Sequence, residues 1–241
     1  MSWAILQKQP FNKSSNTEMQ IAEEESQADI AEYQRAREKL VAQLVARGIN
    51  NQKVLQAIAA VPRHLFLEPA LRHRAYQDTA LPIGQSQTIS QPFVVATMSQ
   101  AAFAASQVDN VLEVGTGCGY QTAVLAQLAK RVCTVERIGS LQASAEERLR
   151  SLGFRNIEYR HGDGFVGWKD RAPFDAIVVT AGAEEVPKML LAQLKRGGRL
   201  IIPIGPDGDQ RLLAIGKTGN TWQEEELLPV RFVPLLRGLS E

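Results

Sequence analysis

One ten-residue stretch constrains this chain more than any other: Val111-Leu112-Glu113-Val114-Gly115-Thr116-Gly117-Cys118-Gly119-Tyr120. A strand-like run enters three glycines on alternate positions, and a helical pattern opens at Tyr120. Glycine adopts positive φ without a Cβ clash and lets a ligand approach the backbone closely. In an open α/β sheet such a turn lies at the carboxyl ends of the strands, where ligands bind. The stretch therefore predicts a ligand site built largely from backbone.

The alternation continues along the chain. Apolar or β-branched runs predict seven strands, at Val111–Val114, Val132–Val135, Ile157–Tyr159, Ala176–Thr180, Leu200–Pro203, Leu212–Ile215 and Val230–Pro234. Helices are expected at Tyr120–Ala129, Ser140–Leu152 and Val186–Leu194, with Gly153 and Gly197-Gly198 as stops. This pattern implies a doubly wound α/β fold over 106–241. Its seven-stranded, mostly parallel, Rossmann-like sheet has helices on both faces and an antiparallel C-terminal strand.

Residues 29–105 read as a helical and irregular N-terminal part of the same domain. A helix is expected from Ile30 to Arg47, with Tyr33, Leu40, Val41, Leu44 and Val45 on its periodic face and Gly48 as its stop. A second helix is expected after Asn50 as N-cap, ending at Pro62. An irregular segment then spans 63–90, and a third helix runs from Gln91 to Ala105. Residues 7 to about 28 are poor in large apolar groups and cannot offset their ordering entropy, so residues 1–28 read as a flexible extension.

The bulk properties exclude several function classes. The 241 residues are 44% hydrophobic, enough for one sizeable core. A net charge of +1 without a basic cluster gives no nucleic-acid track. Two cysteines make no disulfide framework and fit a reducing compartment. With no signal peptide and no bilayer-length apolar run, a cytoplasmic protein without a membrane partner is expected. His64, His73 and His161 show no metal-ligand spacing, so no metal is expected.

A glycine loop alone also fits dinucleotide enzymes. Here the spacing is Gly-x-Gly-x-Gly, not Gly-x-Gly-x-x-Gly. Glu136 ends the next strand, where a carboxylate accepts bonds from ribose hydroxyls, a device that dehydrogenases share. Asp163, between Gly162 and Gly164 at the third strand end, is placed to reach an adenine amino group. Together these favour an adenosyl ligand over a nicotinamide dinucleotide.

With these features the chain resembles the class I methyltransferases and, more narrowly, the protein-L-isoaspartate O-methyltransferases. The likeness runs over roughly residues 35–241. It rests on Ala80-Leu81-Pro82-Ile83-Gly84, Gln87-Thr88-Ile89-Ser90-Gln91-Pro92, the glycine loop and Arg160-His161-Gly162-Asp163-Gly164. Further matches are Ala172-Pro173-Phe174-Asp175-Ala176-Ile177 with Val179-Thr180-Ala181, and Arg231-Phe232-Val233-Pro234-Leu235. The resemblance implies an S-adenosyl-L-methionine donor, leaving S-adenosyl-L-homocysteine. The implied acceptor is the free α-carboxylate of L-isoaspartyl residues in damaged proteins and peptides. It implies a donor site of Glu113, Gly115, Thr116, Gly117, Cys118, Gly119, Glu136, Arg137, Gly162, Asp163 and Gly164. Thr88, Ile89, Ser90, Thr180 and Ala181 would bind the acceptor, with Ser90 as the catalytic residue.

Ser90 has a second reading: it precedes Gln91-Pro92 and looks like a helix N-cap. The chain also departs from the family pattern. Ser86 stands where glycine is common, Phe165 where tryptophan is usual, and Ala181-Gly182-Ala183-Glu184 replaces an alanine-rich loop. Other functions left open are methylation of another carboxylate or a small molecule, and cofactor binding without this activity. Base methylation is disfavoured, since Thr180-Ala181-Gly182-Ala183 stands where an Asn/Asp-Pro-Pro-aromatic stretch is needed.

Overall fold

The structure, a computed structural model, describes residues 31–104, 107–218 and 221–241. The extension expected at 1–28 lies outside the described residues. Helix α1 occupies 31–46 and stops at Gly48, whose φ is +95°. Leu40 and Leu44 are buried on it, whereas Val45, expected inward, is 51% exposed and lies off the packed face. Helix α2 (Gln52–Ala60) buries Val54, Leu55, Ala57 and Ile58. Its cap is Asn51 and not Asn50: the Asn51 side chain accepts from the Lys53 and Val54 N–H groups. The backbone N–H groups of Asn50 and Asn51 both go to Gln100 Oε1.

The segment expected to be irregular is more ordered than its sequence suggests. It forms 3-10 turns at Arg63–Phe66 and Pro69–Arg74, then a hairpin of β1 (Leu81–Gly84) and β2 (Gln87–Ile89). The hairpin escaped prediction because its tip, Gln85-Ser86, takes φ of 50° and 55° without glycine or asparagine. Helix α3 (Pro92–Ala102) follows, shorter than expected.

The main sheet contains β3 (Asn110–Val114), β4 (Arg131–Glu136), β5 (Ile157–His161), β6 (Phe174–Val179), β7 (Leu194–Ile204), β8 (Gln210–Thr218) and β9 (Thr221–Val230), in the order β5-β4-β3-β6-β7-β8-β9. The pairs from β5 to β7 are parallel, and β8 runs antiparallel to both β7 and β9. The seventh strand therefore precedes the expected Val230–Pro234. It is a polar edge strand containing Glu224, Glu225 and Glu226, held by backbone pairing to β8 and carrying no apolar alternation to find. The helix expected at Val186–Leu194 is the single turn α6 (Lys188–Leu191). Gly197-Gly198, read as its stop, lies inside β7. A Cβ on Gly198 would sit 3.0 Å from the Phe174 and Asp175 carbonyl oxygens, so that glycine permits a close strand approach.

Helices α4 (Tyr120–Leu128) and α5 (Gly139–Ser151) cross between β3, β4 and β5. Helix α4 is buried from Tyr120 to Ala126 because it packs on the sheet while α2 and α3 pack on it. Val111, Leu112, Ile177, Val178, Leu200 and Ile201 are fully buried in the central strands. Each such side chain contributes about 1.5–3 kcal/mol of transfer free energy. From β3 the chain winds outward through β4 and β5, then returns to β6 on the other side. The switch point beside the β3 carboxyl end is where such sheets hold ligands.

Candidate functional site

A cleft of about 310 Å³ opens at that switch point. Its floor is the glycine loop. Gly115 has φ +96° and donates its N–H to Val135 O at 2.8 Å. Gly117 (φ +53°) donates its N–H to Glu136 Oε2 at 2.9 Å, and Glu136 Oε1 accepts from the Ile138 N–H at 3.0 Å. Gly119 (φ +90°) starts α4, and a Cβ there would lie 2.9 Å from Leu149 Cδ1. The loop is thus bent around backbone conformations that few other residues adopt.

Beneath it lies a buried chain of hydroxyls on one carboxyl. Glu113 Oε2 accepts from Thr122 at 2.5 Å and Thr134 at 2.6 Å, and Thr134 meets the Thr116 hydroxyl at 2.6 Å. Burial pushes the Glu113 carboxyl up to about 8, although the two hydroxyls pull it down.

Of the implied donor residues, Gly115, Thr116, Gly117, Cys118, Glu136, Arg137 and Gly164 line the cleft. Glu113 and Gly119 lie behind the loop, and Gly162 and Asp163 lie beside the cleft without lining it. Gly162 donates its N–H to Glu136 O at 2.8 Å. Asp163 Oδ1 accepts from the Phe165 N–H at 2.8 Å and Oδ2 from the Gly238 N–H at 2.9 Å. Its carboxylate therefore ties a turn to the C-terminal tail.

All five implied acceptor residues, Thr88, Ile89, Ser90, Thr180 and Ala181, line the same cleft. The β1–β2 hairpin supplies Thr88 and Ile89, the link into α3 supplies Ser90, and the residues just after β6 supply the others. Thr180 donates its hydroxyl to Gly115 O at 2.5 Å and so buttresses the donor loop. Sequence reasoning missed Tyr120, Gln121 and residues 233–236, which also line the cleft. The last of these carried a signal, Arg231-Phe232-Val233-Pro234-Leu235, but as a sheet strand it would have pointed elsewhere. In the fold this segment crosses the strand ends. Gly182 N–H donates to Val233 O at 2.8 Å, Leu235 N–H to Gly182 O at 2.6 Å, and Ser240 N–H to Arg137 O at 2.8 Å.

A family profile described as protein-L-isoaspartate(D-aspartate) O-methyltransferase matches residues 34–240. The chain belongs to this family. It is 55% identical to a protein-L-isoaspartate O-methyltransferase of Pseudomonas paraeruginosa over 205 residues, 85% of this chain and 97% of the other. A protein of the same name from Ectopseudomonas mendocina is 53% identical over the same shares. Among solved structures, one protein-L-isoaspartate O-methyltransferase superposes with a TM-score of 0.75 at 30% identity, covering 85% of this chain and 67% of that one. Another, from Plasmodium falciparum and in complex with S-adenosyl-L-homocysteine, superposes with a TM-score of 0.71 at 27% identity, covering 83% and 98%.

The structure accounts for two departures from the family pattern and describes the surroundings of the third. Gly182 leaves no room for a side chain, because a Cβ there would lie 2.4 Å from Gln210 Nε2. Gln210 in turn accepts the Phe232 N–H at 2.7 Å and aims the tail at the cleft. Ser86, at φ +55°, holds the left-handed position at which glycine is favoured. Phe165 is covered by the Arg237 guanidinium, 4.2 Å from its ring centroid.

Proposed function

We propose that this chain transfers a methyl group from S-adenosylmethionine to the free α-carboxylate of L-isoaspartyl residues in damaged proteins and peptides. One observation carries the reading within this family: the glycine loop and the Thr88-Ile89-Ser90 segment line a single cleft.

The residues present fit an adenosyl sulfonium. The left-handed glycines expose backbone where side chains would intrude, and Cβ atoms on Gly115 or Gly117 would point at Thr180 and Ile83. Glu136 accepts two backbone N–H groups, leaving about half of the roughly four lone-pair sites of a carboxylate for ribose hydroxyls. When bound, S-adenosylmethionine supplies a methyl group activated by its positive sulfur.

The protein then needs little acid–base machinery. The acceptor α-carboxylate has a reference pKa of roughly 3.3–3.7 and is already ionised near neutral pH. The role assigned to the chain is placement. Ser90 donates a hydrogen bond that orients the carboxylate, Thr88 and Ile89 flank it, and Thr180 and Ala181 form the facing wall. Orientation of this kind is worth on the order of 7–11 kcal/mol in favourable intramolecular cases. The resulting ester recloses to a succinimide as the backbone amide nitrogen displaces methanol, and hydrolysis of the ring returns some normal aspartate. A reducing, cytoplasmic setting belongs to the same proposal, supported by the free, buried Cys118 and Cys133.

An isoaspartyl peptide should take up labelled methyl from S-adenosylmethionine while its normal aspartyl twin does not. Equal labelling of both peptides would overturn the assignment.

A further inference from the structure

Ser90 stands two residues before α3 and has the chemistry of a helix N-cap, yet the fold caps α3 with another residue. Gln91 occupies the cap position, with φ −52° and ψ 135°, and its side chain caps nothing. The Phe93 N–H, which a Ser90 cap would satisfy, donates to Asp78 Oδ1 at 2.8 Å. Asp78 Oδ2 accepts from Gln91 Nε2 at 2.9 Å and pairs with the Arg47 guanidinium beyond the end of α1. Arg47 also covers the Phe93 ring, 3.5 Å from its centroid. One largely buried carboxylate therefore joins three segments on either side of Ser90. Ser90 itself lines the cleft, and no protein group among the described residues takes its hydroxyl.

We propose that Asp78 is a positioning residue for methyl transfer: by capping α3 from across the fold, it leaves Ser90 aimed into the cleft. This rests on the assignment of Ser90 as the hydrogen-bond donor to the acceptor carboxylate. The physical competition is local. An uncapped first turn leaves the Phe93 N–H orphaned, and Ser90, three residues before it, stands at the spacing from which a capping hydroxyl accepts such a group. A cap serine places its Oγ over the helix's first turn, which withdraws it from the acceptor. Displacements of about 1 Å cost on the order of 10²-fold in rate.

The test is a double-mutant cycle read with an isoaspartyl peptide. D78A should lower kcat by on the order of 10²-fold and leave the S-adenosylhomocysteine Kd, measured by calorimetry, within about twofold of wild type, since Asp78 lies off the donor site. S90A should lower kcat in the wild-type background and add almost nothing to D78A. D78N keeps a neutral oxygen for the Phe93 N–H, so its kcat should fall only several-fold, and S90A should cost less there than in wild type. The D78N cycle decides the matter alone if D78A fails to fold. Full turnover by the Asp78 variants, or an undiminished S90A penalty in their backgrounds, overturns the role of Asp78 while leaving that of Ser90 intact. Full turnover by S90A alone removes the Ser90 assignment first.

Discussion

The Thr180 hydroxyl donates to the Gly115 carbonyl oxygen at 2.5 Å, and a Cβ built on Gly115 would lie 2.3 Å from that same Oγ1. The residue closing β6 thus occupies the space that a side chain on the first loop glycine would need. The glycine loop and the end of β6 are one packed unit.

Gly115→Ala should therefore fail twice, through the clash with Thr180 and through its φ of +96°. The backbone strain alone is about 1–3 kcal/mol. Thermal unfolding should show that loss, and S-adenosylhomocysteine affinity by calorimetry should drop more than tenfold. Thr180→Ala added to Gly115→Ala should recover part of the stability. Strict additivity of the two changes would mean that the contact does not limit the loop.

Glu113 makes stability depend on pH. Its folded carboxyl, raised to about 8 chiefly by burial, keeps its proton well above the ordinary value of 4.5. Between those values the folded chain binds more protons than the unfolded one, so the Glu113 contribution is fully present below 4.5 and is lost as pH rises through 8. Glu113→Gln keeps an oxygen for the Thr122 and Thr134 hydroxyls and removes the titration. The wild-type melting temperature minus that of the variant should shrink steadily over this range. A constant difference would show that Glu113 ionises normally.

Ser86→Gly should stabilise the hairpin. A left-handed residue with a Cβ costs roughly 1–2 kcal/mol, and the added chain entropy of glycine returns about 0.5–1 kcal/mol of that. A gain of order 1 kcal/mol corresponds to roughly 2–4 °C in a domain of this size. Calorimetric melting of the two proteins gives the answer, and a lower melting temperature for the glycine form would contradict the strained tip.

The Asp163 Oδ2 holds the Gly238 N–H, so its proposed effect on the donor site should run through the tail. Asp163→Ala should weaken S-adenosylmethionine binding, and removing residues 237–241 should reproduce much of that loss. In the shortened chain Asp163→Ala should then cost less than in the full one. The same penalty in both chains would leave the carboxylate acting by contact with the ligand alone.

How much was legible follows from the range of the interactions. The glycine loop, β3 to β6 and helices α4 and α5 showed in local pattern, because each buries a continuous apolar run or bends at residues free of a Cβ. The Thr88-Ile89-Ser90 segment showed no such pattern and stood out only through the family resemblance. Local pattern failed where backbone pairing or packing made the choice. Examples are the glycine-free hairpin tip at Gln85-Ser86, the polar edge strand β9, and Gly198 inside β7.

By itself the sequence determined that a glycine turn would close a parallel strand and leave backbone open to a ligand, since that depends on steric limits within neighbouring residues. The tertiary structure alone decided which distant groups pair around the cleft that this turn floors. Asp78 reaches Phe93 across 15 positions and Asp163 reaches Gly238 across 75. No periodicity encodes such pairs, because their energy arises only after packing has brought two groups distant in the chain together.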